Sequence, residues 1–147
     1  MKRIFGVAAA AVLLATMVVL TMVPAFAQVD REDLVRNLTI TSVTIDPQTK
    51  VVTVKGTITC SEETTFAFVG AEVSQVVGRL HTVRGFDFER LRPCEGRTSF
   101  TLRIRADEGR FAPGEANVLL IAQGCSREFE RCDTDRLSGP VRLTPTN

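Results

Sequence analysis

Four cysteines carry the most reactive chemistry in this 147-residue chain: Cys60, Cys94, Cys125 and Cys132. The last two enclose the stretch CSREFERC, in which Arg127, Glu128, Glu130 and Arg131 flank a central Phe129. Four-thiolate zinc sites show two close pairs with two to four residues between partners. Here six residues separate one pair and thirty-three the other, which is not that pattern. No Cys-x-x-Cys motif is present to lower a thiol pKa for redox work. An even cysteine count in a short exported chain reads as disulfides, and four cysteines allow three pairings. The expected pairing is Cys60–Cys94 with Cys125–Cys132. The second pair can meet across the mouth of a hairpin without disturbing its strands, and the first closes a loop over the middle of the domain.

Other chemistry has little to work with. His81 is the sole histidine, so a Ser-His or Cys-His nucleophile would have to use it. No nucleophile-elbow signature surrounds a serine, and His81 reads as a solvent-facing residue of an edge strand. Asp133 and Asp135 could offer oxygens to calcium, but the EF-hand spacing is missing. The stretch RLHTVRGFDFERLR mixes Arg79, Arg84, Arg90 and Arg92 with Phe86 and Phe88, as binders of single-stranded nucleic acid do. Asp87 and Glu89 interrupt that charge, and the simpler reading is a charged edge flanking two core phenylalanines. No catalytic residue, metal or cofactor is expected, and the chain reads as a non-enzyme.

The first residues give an address. Lys2 and Arg3 precede an apolar run, and Pro24 with Ala25-Phe26-Ala27 closes it. This is the layout of a secretory signal peptide, residues 1–27, cut after Ala27. The competing reading, an uncleaved anchor, conflicts with the Pro24 break and the acidic flank after the site. The mature chain would then be residues 28–147, one domain, secreted and monomeric, with no membrane insertion. Removing Lys2 and Arg3 leaves 16 basic residues against 17 acidic. That balance offers no bulk attraction to nucleic acid or anionic lipid. The chain has no Trp and no Tyr, the rings that sugar-binding sandwiches usually present.

The elements that must hold these residues are strands. LTITSVTI and VVTVKGTITC alternate with period two around the turn Asp46-Pro47-Gln48-Thr49-Lys50 and predict an antiparallel hairpin. Val52, Val54, Ile58 and Cys60 share its inward face. In residues 65–77 the inward set is Ala67, Val69, Ala71 and Val73. Residues 79–94 are irregular and predict one or two short edge strands with protective charges. TSFTLRIRA points Phe100, Leu102 and Ile104 inward. ANVLLIAQGC is apolar on both faces and hence central, and Pro140 restricts the closing strand to an edge or a bulge. About seven strands with regular turn signals predict an all-β, immunoglobulin-like sandwich of antiparallel strands, with a barrel as the alternative.

VTVKGTITC, Gln75, PCEGRTSFTLRI and GRFAPGEANVLLIA together resemble small exported immunoglobulin-like domains of actinobacterial type. The resemblance spans roughly residues 40–145. It implies the fold and Cys60 paired with Cys94, and it brings no catalytic residue. A weaker similarity is to the enediyne-binding apoproteins, small sandwiches that hold a chromophore in an apolar cleft; their first disulfide loop is much shorter than that of Cys60 and Cys94.

The function expected is a non-enzymatic secreted or cell-envelope module with a structural or protein-binding role toward an extracellular or envelope protein. Residues 125–132 are its candidate recognition loop, with Arg127, Phe129 and Arg131 the candidate contacts. A disulfide at the base would hold Phe129 out with little entropy left to lose. Two alternatives differ in class. One is a small-molecule carrier with an apolar pocket lined by Phe66, Phe68 and Leu119. The other is a protease inhibitor that offers Arg127 or Arg131 to a trypsin-like enzyme.

Overall fold

A computed structural model describes residues 32–79 and 81–146; the expected signal peptide, residues 1–27, lies outside them. Among the described residues no helix is long and apolar enough to cross a membrane. Seven strands follow one another: β1 (Val35–Ile45), β2 (Val52–Cys60), β3 (Phe66–Val77), β4 (His81–Leu91), β5 (Gly96–Ile104), β6 (Gly114–Cys125) and β7 (Cys132–Pro145). One turn of 3₁₀ helix, Arg127–Phe129, joins the last two.

The period-two alternation works as read. Val52, Val54 and Ile58 of β2, Ala67, Val69, Ala71 and Val73 of β3, and Phe100, Leu102 and Ile104 of β5 are all buried. Ala116, Val118, Leu120 and Ala122 of β6 join them, with Phe111 from the β5–β6 connection. Full burial of a Val, Leu, Ile or Phe side chain contributes about 1.5–3 kcal/mol each. The β1–β2 turn forms as its residues dictate. Asp46 Oδ1 accepts from the Gln48 and Thr49 amides at 2.8 and 2.7 Å, and these two bonds hold its carboxyl below the ordinary carboxylate pKa.

Two expectations about strand extent need correction. β1 begins at Val35, not Leu38, because Leu34 and Val35 are buried and bulges let the strand bend over the core. Residues 81–91 form one regular strand rather than short pieces, paired along its length with β3.

The expectation that every strand pairs antiparallel is also corrected. Backbone pairing links all seven strands into one curled sheet, in the order β4-β3-β6-β7-β1-β2-β5. β1 and β7 meet in parallel, at Thr44–Thr144 and Ile45–Pro145 alone. β7 therefore pairs fully only with β6, and Pro140 lies where the strand has no second ladder partner, consistent with its missing N–H.

Side-chain carboxylates close the two places where backbone pairing fails. On β7, Asp133 accepts from the Leu34 amide at 2.8 Å and Asp135 from the Leu38 amide at 2.9 Å. On β4, Asp87 accepts from the Arg103 amide at 2.8 Å and Glu89 from the Thr101 amide at 3.2 Å. Both are acidic pairs spaced i, i+2, so both carboxylates leave the same side of their strand. The β4–β5 seam is completed by the Asp107 amide donating to the Arg84 carbonyl at 2.8 Å. Gly85 permits this approach: a Cβ there would sit 2.0 Å from the Arg105 carbonyl oxygen.

Candidate functional site

Both expected disulfides form, Cys60–Cys94 and Cys125–Cys132. Cys125 and Cys132 are direct partners in the β6–β7 ladder, so the bond staples the mouth of the hairpin and leaves a six-residue tip. Ser126 ties that tip internally: its amide donates to the Arg131 carbonyl at 2.9 Å, and its Oγ accepts from the Arg131 amide at 3.1 Å. Glu128 and Phe129 both take positive φ, 59° and 58°. The tip is thus a coiled 3₁₀ turn, not an extended segment of the kind a protease threads through its cleft.

The three candidate contacts have different surroundings. Arg127 is exposed. Arg131 is engaged within the fold: its guanidinium bonds Asp133 at 2.9 Å, donates to the Glu32 carbonyl and faces Glu63 at 3.7 Å. The Leu34 amide first, and then Arg131, hold the Asp133 carboxyl below its ordinary pKa despite partial desolvation. Asp133 and Asp135 therefore serve the seam, and no cluster of three or more metal-ligating side chains exists among the described residues. Phe129 is 63% exposed, yet its ring centroid lies 5.6 Å from that of Phe66 on β3.

That contact leads onto a larger surface. Phe66 and Phe68 of β3 and Phe86, Phe88 and Arg90 of β4 line a groove of about 290 Å³ on the outer face of the curled sheet. Phe86 and Phe88 are 57% and 66% exposed, so the reading of them as core residues is overturned. Their rings stack with centroids 6.2 Å apart. The Phe86 ring lies over Gly70, where a Cβ would meet it at 3.1 Å; the glycine deepens the groove floor. At the other end Arg90 lies over Phe66, with Cζ 4.3 Å from the ring centroid, a cation–π contact. Desolvation, and then the nearby charge of Arg92, lower the Arg90 pKa, but a guanidinium remains charged at neutral pH. Leu119 of β6, expected in an apolar pocket, points outward opposite Glu72 and is not among the groove residues.

No family model matches the chain, and no curated protein matches it. Among solved structures, AggA, the major subunit of aggregative adherence fimbriae type I from Escherichia coli, is a match at 13% identity with a TM-score of 0.36. The match covers 79% of this chain and 100% of that one. A likeness this loose carries no argument about role.

A signal for the aromatic face was present in GFDFERL. Phe86, Phe88 and Arg90 share one parity, with Asp87 and Glu89 on the other. Polarity alone places the acids outside. At this edge the order is reversed, because the inward acids receive the β5 amides and send the phenylalanines out. A wider hollow of about 700 Å³ lies beside Cys60, bordered by Glu62, Glu63 and Glu95. Those three carboxylates are exposed, and Glu63 already faces Arg131.

Proposed function

We propose that the protein is an exported, non-enzymatic recognition module of immunoglobulin-like type that binds an extracellular or cell-envelope protein through the outer face of β3 and β4. The supporting observation is the aromatic surface in which exposed Phe129, Phe86 and Phe88 border the half-buried rings of Phe66 and Phe68. Exposed apolar surface of this continuity on a soluble domain marks an interaction site, and aromatic residues with arginine dominate interface energetics. The loop 125–132 contributes its end, through Phe129, while Arg131 belongs to the fold. Export fits the two disulfides, which persist in oxidising compartments. A hydrolytic reading would require His81 to face a nucleophile and an acid; it is exposed at the start of β4 and lies against Gly109.

The test compares capture from the producing cell's envelope and medium by the native protein and by Phe86→Ser/Phe88→Ser. A partner retained by the first and lost by the second, with both melting at the same temperature, is the expected result. Equal retention by both would remove this face from the function.

A further inference from the structure

The groove has one polar wall, and that wall states what the partner must bring. Arg90 is held over Phe66 and has no carboxylate partner among the described residues. Stacking removes rotamer freedom from the guanidinium while its in-plane N–H groups remain available. A guanidinium so placed is pre-organised for bidentate contact with a carboxylate. Along the strands the other outward charges are Arg84 and Arg136 against Glu72, with exposed Arg92 just beyond Arg90 and exposed Glu128 and Glu130 flanking Phe129. Glu72 sits opposite Phe86, whereas Arg90 sits opposite Phe68. The two charges thus lie four residues apart along the sheet, roughly 13 Å at strand spacing.

Resting on the reading of this face as a protein-binding surface, we infer that the partner's contacting segment is apolar and acidic. It lays aliphatic or aromatic side chains among Phe66, Phe68, Phe86 and Phe88 and sets a carboxylate on Arg90. A second copy of this chain is a poor occupant, because a two-fold contact would bring the same arginine-rich surface against itself. A free small molecule is also a poor occupant. Pockets for such ligands cover most of the ligand surface, and this groove is an open trough with two strands for a floor. A polypeptide brings its own body to cover what the trough leaves bare. Glu72 gives the site a direction: the partner's carboxylate belongs at the Arg90 end, and a neutral or basic residue belongs at the other.

Three blocked hexapeptides of sequence Ser-Leu-Phe-Leu-X-Ser, with X as Glu, Gln or Lys, serve as probes. They are titrated by NMR into the folded protein carrying labelled phenylalanine. The Glu peptide is expected to move the signals of Phe66, Phe68, Phe86 and Phe88. The Gln peptide should bind about tenfold more weakly, the loss of one charge-assisted hydrogen-bonded pair, and the Lys peptide more weakly still. Arg90→Gln should bring the Glu and Gln peptides to equal affinity, and added salt should narrow the gap in the native protein. If all three peptides move the phenylalanine signals with equal affinity, the acidic preference is wrong while the face remains a binding surface. If none moves them, and Phe86→Ser/Phe88→Ser still captures the envelope partner, both readings fall.

Discussion

Phe129 and Phe88 look alike in sequence, each an aromatic among charges, and the same test applies to both. A ring more than half exposed loses little on truncation, so Phe129→Ala and Phe88→Ser should each cost under about 1 kcal/mol by denaturant titration. A loss near 3 kcal/mol would instead mark the ring as core. Asp133 behaves in the opposite way. It is polar and near the surface, yet Asp133→Ala leaves the Leu34 amide without its acceptor and removes the shorter of Arg131's two ion pairs, and the expected cost is about 2 kcal/mol. The pH dependence follows from its lowered pKa. The stability it adds is present in full above the ordinary value of 3.8 and disappears as pH falls through the lower folded value. The gap between native protein and variant should therefore hold steady from neutral pH down to 5 and close only below about pH 4.

Among the elements, β2, β3 and β5 were legible from the sequence because their alternation has one cause, the burial of every second residue. β6 follows the same rule, although its residues read as apolar on both faces. β4 was not legible. It is an edge strand whose inward neighbours are backbone amides of β5, so Asp87 and Glu89 satisfy its inner side better than phenylalanine would. Alternation carries no information about which strand lies across a gap. Nor could it reveal that β1 and β7 run parallel, since that pairing rests on two residue pairs at the strand ends. Gln75 shows a polar residue with a similar hidden role. Its side chain is buried and holds the β5–β6 connection through Ala112, whose amide donates to Oε1 at 2.9 Å and whose carbonyl accepts from Nε2 at 2.8 Å. The element-scale test is Gly85→Ala. The added methyl cannot coexist with the Arg105 carbonyl, so β4 and β5 must separate, with a loss of about 2–3 kcal/mol or more. Gly139→Ala on β7 meets no neighbouring atom within 4 Å and has no positive φ, so it is the control for adding a methyl to a strand glycine.

For the molecule as a whole, the two cross-links divide the work unequally. On loop-closure entropy the Cys60–Cys94 bond contributes about 4 kcal/mol and the Cys125–Cys132 bond about 2.5. Protein recovered from culture medium and unfolded in denaturant should react with no thiol reagent until a reductant is added. Reduction should then lower the melting temperature more through the first bond than through the second, which paired Cys→Ala variants can separate. The sequence marks Phe129 and the pair Phe66 and Phe68 as separate candidates, and their union with Phe86 and Phe88 into one face was not legible. That face is assembled from two strands and a loop tip, and no single segment shows more than two of its five rings.

The acids of β4 also act on other molecules of the same protein. A strand edge with open amides is a template on which a further chain can lay itself, and the row from Thr101 to Arg103 would be such a template if it were bare. Asp87→Ala/Glu89→Ala uncovers it. Native solutions held at high concentration should stay clear, whereas the double variant should develop thioflavin-positive fibres seeded by its own fragments.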